Sequence, residues 1–165
     1  MKKLFPCLLL IILLFCSCNE KKDFLAYQQK NPIIECTVND KFELIISKNE
    51  IVKITVLKPS EINGICFEFN KNEGFVMSRD TKIPLDSSSA CGLFALAGTL
   101  SLESEDIVSV SDHEGLSIVT FKNDLATYTL TYGKNLLPSK IEIHADKFDY
   151  NILVTEIELK NERTN

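Results

Sequence analysis

Short runs of alternating apolar and polar residues, each closed by turn residues, fill almost all of the chain from residue 33 to residue 159. Successive side chains of a β-strand point to opposite faces, so period two marks strands with one buried face. Ile34, Cys36 and Val38 alternate with Glu35 and Thr37. Asn39-Asp40 then supplies a tight turn, and Phe42, Leu44 and Ile46 resume the period, which is a hairpin pattern. Further strands are predicted over 51–57, 65–69, 75–85, 107–110, 116–121, 126–132, 141–145 and 150–159. Turn chemistry separates them, as in 59–64, 70–74, His113-Glu114-Gly115, Asn123-Asp124 and 133–138. No crossover helices lie between successive strands, which excludes a parallel α/β sheet and predicts an antiparallel meander. The fold class is mainly β (α+β): a curved antiparallel sheet, or an unclosed barrel, of about ten strands.

The alternation breaks once. Ala90, Leu93, Phe94, Ala97 and Leu100 recur at helical spacing behind Asp86, Ser87 and Ser88, whose oxygens suit an N-cap. One amphipathic central helix over 88–100 is expected, loosened by Gly92 and Gly98 at roughly 1 kcal/mol each relative to alanine. A second, short helix is expected near Phe24, Leu25, Tyr27 and Gln28, stopped by Asn31-Pro32.

Ahead of all this stand Lys2 and Lys3, an apolar run from Leu4 to Cys16 interrupted by Pro6, and then Ser17, Cys18 and Asn19. Charged, apolar and small residues in that order are the signature of a secretory signal. The run is too short to span a bilayer, which takes roughly 20 apolar residues. Its end resembles a bacterial lipobox, in which a cysteine behind small residues becomes the first, lipidated residue of the mature protein. Cys18, preceded by Ser17, fits that role; Cys16 would place Phe15 at the cut. Phe15 and Cys16 depart from the usual Leu and small residue of the motif. The plain alternative is an ordinary signal peptide cut near Ser17, with Cys18 left as a thiol. Lipidation implies a bacterial lipoprotein precursor with a signal peptide over 1–17, a lipidated tether with a short helix over 18–32, and one β-rich domain over 33–160. It implies export to the cell membrane or cell envelope, held by acyl chains such as palmitate. Two chains suffice for stable anchoring at about 0.8 kcal/mol per buried methylene.

Without residues 1–17 the chain has 148 residues, a natural size for one domain. Lys2 and Lys3 leave with the signal, so 16 basic residues face 23 acidic ones, a net charge of −7. That balance, with no basic cluster beyond Lys21-Lys22, argues against a nucleic-acid partner. Cys36, Cys66 and Cys91 remain once Cys7, Cys16 and Cys18 are set aside. An exported chain permits disulfides, so a Cys36–Cys66 bridge stands beside the simpler reading of three small buried hydrophobes. The spacings match no metal knuckle.

Chemistry-bearing motifs are few. His113 sits in an acidic turn and His144 alternates with Ile143 on a strand; neither has the short-range histidine partner that zinc sites use. Glu103, Glu105 and Asp106 read as a solvated turn. Ser87, Ser88 and Ser89 lie in no Gly-x-Ser-x-Gly elbow or Ser-x-x-Lys motif, and no phosphate loop is present. The expectation is no catalysis, no metal and no cofactor.

The run of elements over 33–159 resembles the superfamily of bacterial outer-membrane lipoprotein carriers, their membrane-bound acceptors and periplasmic sensors of envelope stress. The resemblance is one of element order, and the single strong helix departs from the several of that family. It implies a curved, unclosed barrel capped by helix, with a cavity for acyl chains. Phe42, Leu44, Val52, Ile54, Phe67, Phe94, Tyr128 and Leu130 would line the groove, and the ligand would be a lipid or an acylated protein. The alternative is a core filled by the protein's own aromatics, giving a non-catalytic interaction or sensor module at the cell surface.

Overall fold

The computed structural model describes residues 22–70, 73–78, 81–145 and 147–160. The signal and the lipobox cysteine, Cys18, lie outside the described residues. Among these, eleven strands form one antiparallel sheet: β1 (Pro32–Val38), β2 (Phe42–Lys48), β3 (Val52–Lys58), β4 (Cys66–Asn70), β5 (Glu73–Ser78), β6 (Thr81–Pro84), β7 (Ile107–His113), β8 (Leu116–Lys122), β9 (Thr127–Tyr132), β10 (Pro138–Ala145) and β11 (Phe148–Leu159). Their spatial order is β6-β5-β4-β3-β2-β1-β11-β10-β9-β8-β7. The curved, unclosed sheet with, among the described residues, one α-helix, α1 (Cys91–Gly98), is the architecture that the sequence pattern predicts.

Period-two burial follows the sequence closely. Ile34, Cys36 and Val38 of β1, Val52, Ile54 and Val56 of β3, and Tyr128, Leu130 and Tyr132 of β9 are all buried. Register stacks them into rows: Ile34 opposes Ile46, Ile46 opposes Ile54, and Ile54 opposes Phe67. On the other side Ile152, Ile141, Leu130 and Val119 continue the layer. Such cross-strand pairs are the unit of sheet stabilisation. Bulges at Glu35/Cys36, Glu43/Leu44, Ile107/Ser109 and Pro138/Lys140 bend the strands that carry them. Tight hairpins sit where both turn residues take positive φ, at Asn39-Asp40 (50° and 54°) and Glu114-Gly115 (51° and 82°).

The strand expected over 75–85 and the central helix need correction. The single strand expected over 75–85 is two, β5 and β6, with Ser78 opposite Thr81. All four residues of β6 are exposed, so no burial pattern marks it off in the sequence. The helix is shorter than 88–100. Asp86 caps a preceding turn instead: its carboxylate accepts from the hydroxyls of Ser88 (2.6 Å) and Ser89 (2.7 Å), and its carbonyl from the Ala90 N–H (2.9 Å). Those hydroxyls hold the Asp86 carboxyl below its usual pKa. Nor is α1 amphipathic, since Gly92 and every residue from Phe94 to Gly98 are buried. The short N-terminal helix is a 3-10 turn, Ala26–Lys30, and Phe24, Leu25, Tyr27 and Gln28 are buried in the core.

On the convex face Glu68 is 9% exposed and bridges two strands, reaching Lys53 on β3 (2.8 Å) and Lys82 on β6 (2.6 Å). Lys82 also stands 5.5 Å over the Phe75 ring. Hydrogen bonds from Lys53 and Lys82 hold the Glu68 carboxyl below its ordinary 4.5. A depressed folded pKa gives stability that is complete above the ordinary pKa and lost as pH falls through the folded one. Glu68→Gln is therefore expected to cost about 1–2 kcal/mol at neutral pH. In urea unfolding, the gap between the two proteins should close as pH falls below 4.5.

Candidate functional site

The connection between β6 and β7 joins the two free edges of the sheet, so it must cross the concave face. It carries α1 with it. Glycines let the helix lie close to the strands: a β-carbon at Gly98 would collide with the Tyr128 hydroxyl, and one at Gly92 with the Tyr150 hydroxyl. Against the second half of the sheet the fit is complete. Val119, Phe121, Tyr128, Leu130, Tyr132 and Ile143 are fully buried there. Burial pushes the Tyr128 hydroxyl up to about 12. Tyr27 is pushed to about 12 by the same cause, and Tyr132 is raised further. Among the described residues none of these three hydroxyls has a hydrogen-bond partner in the protein.

Against the first half of the sheet the fit is incomplete. Phe94 of α1 meets Phe69 edge to face, with centroids 5.0 Å apart and planes at 73°. Gly74 admits both rings, since a β-carbon there would lie 2.9 Å from Phe94. Beyond that contact a cavity of about 230 Å³ opens between helix and sheet. Val38, Phe42, Leu44, Ile54, Val56 and Phe67 wall it from β1 to β4. Ile62 and Ile65 close one side, Leu93 and Leu96 of α1 form the roof, and Tyr150 of β11 completes it. No charged side chain lines it. Phe42, 39% exposed, stands at the rim.

Of the groove residues expected from sequence, Phe42, Leu44, Ile54 and Phe67 come together here. Val52 is buried on the same face of β3 but lies outside the cavity. Phe94 packs on Phe69, and Tyr128 and Leu130 belong to the filled half. The period-two faces of β1 and β3 already marked Val38 and Val56. Leu93 and Tyr150 were marked as apolar positions of the helix and of the last strand, but only long-range packing brings them, with Leu96, over the first half of the sheet.

A wider, polar cleft of about 840 Å³ lies at the N-terminal segment, walled by Lys22, Asp23, Gln28, Lys48, Glu103 and Ser104 among others. Its polar groups are largely engaged. Lys48 donates to the Leu100 carbonyl (2.7 Å) and Gln28 to the Thr99 carbonyl (3.1 Å). Lys22 donates to Asp112 (2.9 Å) and Ser117 (3.0 Å). Burial lowers the Lys48 pKa. An apolar guest gains roughly 25 cal/mol for each Å² of hydrocarbon it buries, and in the smaller cavity it would cover almost no polar surface, whereas in the cleft it would lie against charged and amide groups at a desolvation cost. That makes it the better candidate.

His113 faces Glu114 (3.7 Å) and His144 faces Asp149 (3.0 Å), both exposed. Cys36, Cys66 and Cys91 are free thiols, and burial pushes Cys36 up to about 12. Among the described residues no three acidic, histidine or cysteine side chains group as metal ligands, and no helix is long and apolar enough to cross a membrane.

Close approach at Gly98 is what fits the filled half together. Gly98→Ala should destabilise the fold by about 2 kcal/mol through overpacking. Tyr128→Phe in the same chain should recover part of that loss, a coupling that a thermal-melt double-mutant cycle measures directly.

No family model and no curated protein matches this chain. Solved structures similar to it include a hypothetical protein from Chlamydia trachomatis, 11% identical with TM-score 0.48, the match covering 84% of this chain and 94% of that one. A LolA superfamily protein from Nitrosomonas europaea is 10% identical with TM-score 0.43, covering 79% and 84%. The lipoprotein LppX of Mycobacterium tuberculosis is 12% identical with TM-score 0.38, covering 86% and 97%.

Proposed function

We propose that this chain is a non-catalytic, lipid-anchored protein of the cell envelope that receives an acyl chain, from a lipid or an acylated protein, in the apolar cavity beneath α1. The cavity carries the reading. A space of about 230 Å³ walled by hydrocarbon is unfavourable left empty, because its lining forgoes dispersion contacts. Dry apolar cavities of that order do bind hydrocarbon guests. The signal and Cys18 support the location, since an exported, anchored protein works where acyl chains are abundant.

A filled-core interaction or sensor module is the second reading. The edge strand β7 favours it: every residue of β7 after Ile107 is exposed, Val108 at 63% and Val110 at 49%. An uncovered edge is a template for pairing with another chain.

Uptake of a fluorescent fatty acid by the full-length Cys18→Ser protein separates the two readings. The cavity reading expects saturable binding. Phe42→Asp at the rim should weaken it at least tenfold at a cost of about 1–2 kcal/mol in stability, with an unchanged circular dichroism spectrum. Absence of uptake, with no lipid found by mass spectrometry of the gently purified protein, would favour the second reading.

The anchor has its own test. Cys18→Ser should move the protein from the membrane to the soluble or uncut fraction, because two acyl chains supply essentially all of the membrane affinity. Persistence of the processed mutant in the membrane fraction would show that another surface holds it there.

A further inference from the structure

The same cavity suggests a limit on what it takes, an inference that rests on the acyl-chain reading. We infer that the cavity is a length gauge for uncharged hydrocarbon: a chain enters tail first, about eight carbons are accommodated, and Leu93 is the residue that stops it.

Volume sets the number. A methylene displaces about as much space as a water molecule in the liquid, roughly 30 Å³, so 230 Å³ holds about eight. Chemistry sets the orientation. No charged side chain lines the space, and its one polar side-chain atom is the Tyr150 hydroxyl. That hydroxyl is held against the backbone of α1 at Gly92, where an added β-carbon would collide with it. A carboxylate or phosphate drawn inside would lose its hydration and meet no cation, a heavily unfavourable exchange. The head group therefore stays at the rim, beside the exposed ring of Phe42.

Leu93 sets the end. A second, more open groove of about 300 Å³ lies at the start of α1, lined by Asp86, Ser89, Ala90 and Gly92 among others, and it shares two lining residues with the cavity, Leu93 and Tyr150. Leu93 is half-buried and stands between the two spaces. Truncating it joins them and gives a chain somewhere to continue. Gly92 fixes the Tyr150 side of the divider, so Leu93 is the part that a substitution can remove without disturbing the close approach of helix and strand.

The test is a chain-length series. Alkanoic acids and their methyl esters, from six to sixteen carbons, compete with a fluorescent fatty acid for the full-length Cys18→Ser protein. Affinity is expected to rise about fourfold per carbon as far as about eight carbons and then level off, with esters binding at least as tightly as acids. Leu93→Ala, checked by circular dichroism for an unchanged fold, should move the plateau beyond twelve carbons. Affinity that climbs steadily to sixteen carbons in the parent protein overturns the gauge, and acids preferred tenfold over esters overturn the tail-first orientation. A plateau that Leu93→Ala leaves in place removes Leu93 from the role. Failure of every acid and ester to bind overturns the acyl-chain reading itself, a result distinct from all of these.

Discussion

The pairing of the first strand with the last governs the rest of this structure. β1 and β11 run antiparallel from Pro32 opposite Leu159 to Val38 opposite Ile152. With the first and last strands joined at the centre of the sheet, each half of the sheet can only meander outward. The free edges are then β6 and β7, at opposite extremes. The segment between them, residues 85–106, has no short way across and must traverse the concave face. Position, burial and the near-absence of a solvent face in α1 all follow from that crossing. Eight helical residues span only about 12 Å, less than the breadth of face they cover.

Packing beneath the helix is consequently uneven. The second half of the sheet presents Tyr128, bulky enough to reach the helix, and glycine at position 98 lets the helix settle onto its hydroxyl, while Phe121 and Tyr132 are fully buried on the same half. The first half presents Val38, Leu44, Ile54 and Val56 in the corresponding zone. Phe94 braced on Phe69 holds the helix above those shorter side chains, and the cavity is the difference in height. Interiors are otherwise packed to crystalline density, so an apolar void of this size is a feature with a shape, walled by Phe42, Phe67 and Tyr150 as well as by aliphatic side chains.

The N-terminal segment adds a wall that is neither strand nor long helix. Phe24 tilts against Tyr132 at 5.0 Å, and Tyr27 is buried beside the same end of the sheet. Lys22 reaches Asp112 and Ser117 near the β7–β8 hairpin. Hydrogen bonds from Ser117 and then Lys22 depress the Asp112 carboxyl. Lys22, where the described residues begin, thus lies near the end of β7. Register places the cavity's rim, at Phe42 and Val38, at the opposite ends of the strands.

Alternation alone determined most of the strands, their antiparallel sense and most of their buried faces, because period two is enforced locally by the pleat. Turn residues determined the hairpins at Asn39-Asp40 and Glu114-Gly115 for the same local reason. A charged start, an apolar run and Cys18 determined the reading of the first residues without reference to any fold. The division of 75–85 into two strands was not legible, since β6 buries nothing and so carries no pattern. The cavity was half legible. Phe42, Leu44, Ile54 and Phe67 lie on faces that the period assigns to the interior, yet Tyr128 and Leu130 lie on such a face too and sit in solid core. Only the tertiary structure decided between them: a void or a contact depends on the height of the helix over each strand, and that height is set by Phe94 on Phe69 and by the clearance at Gly74, Gly92 and Gly98, pairs far apart in sequence that no local period records.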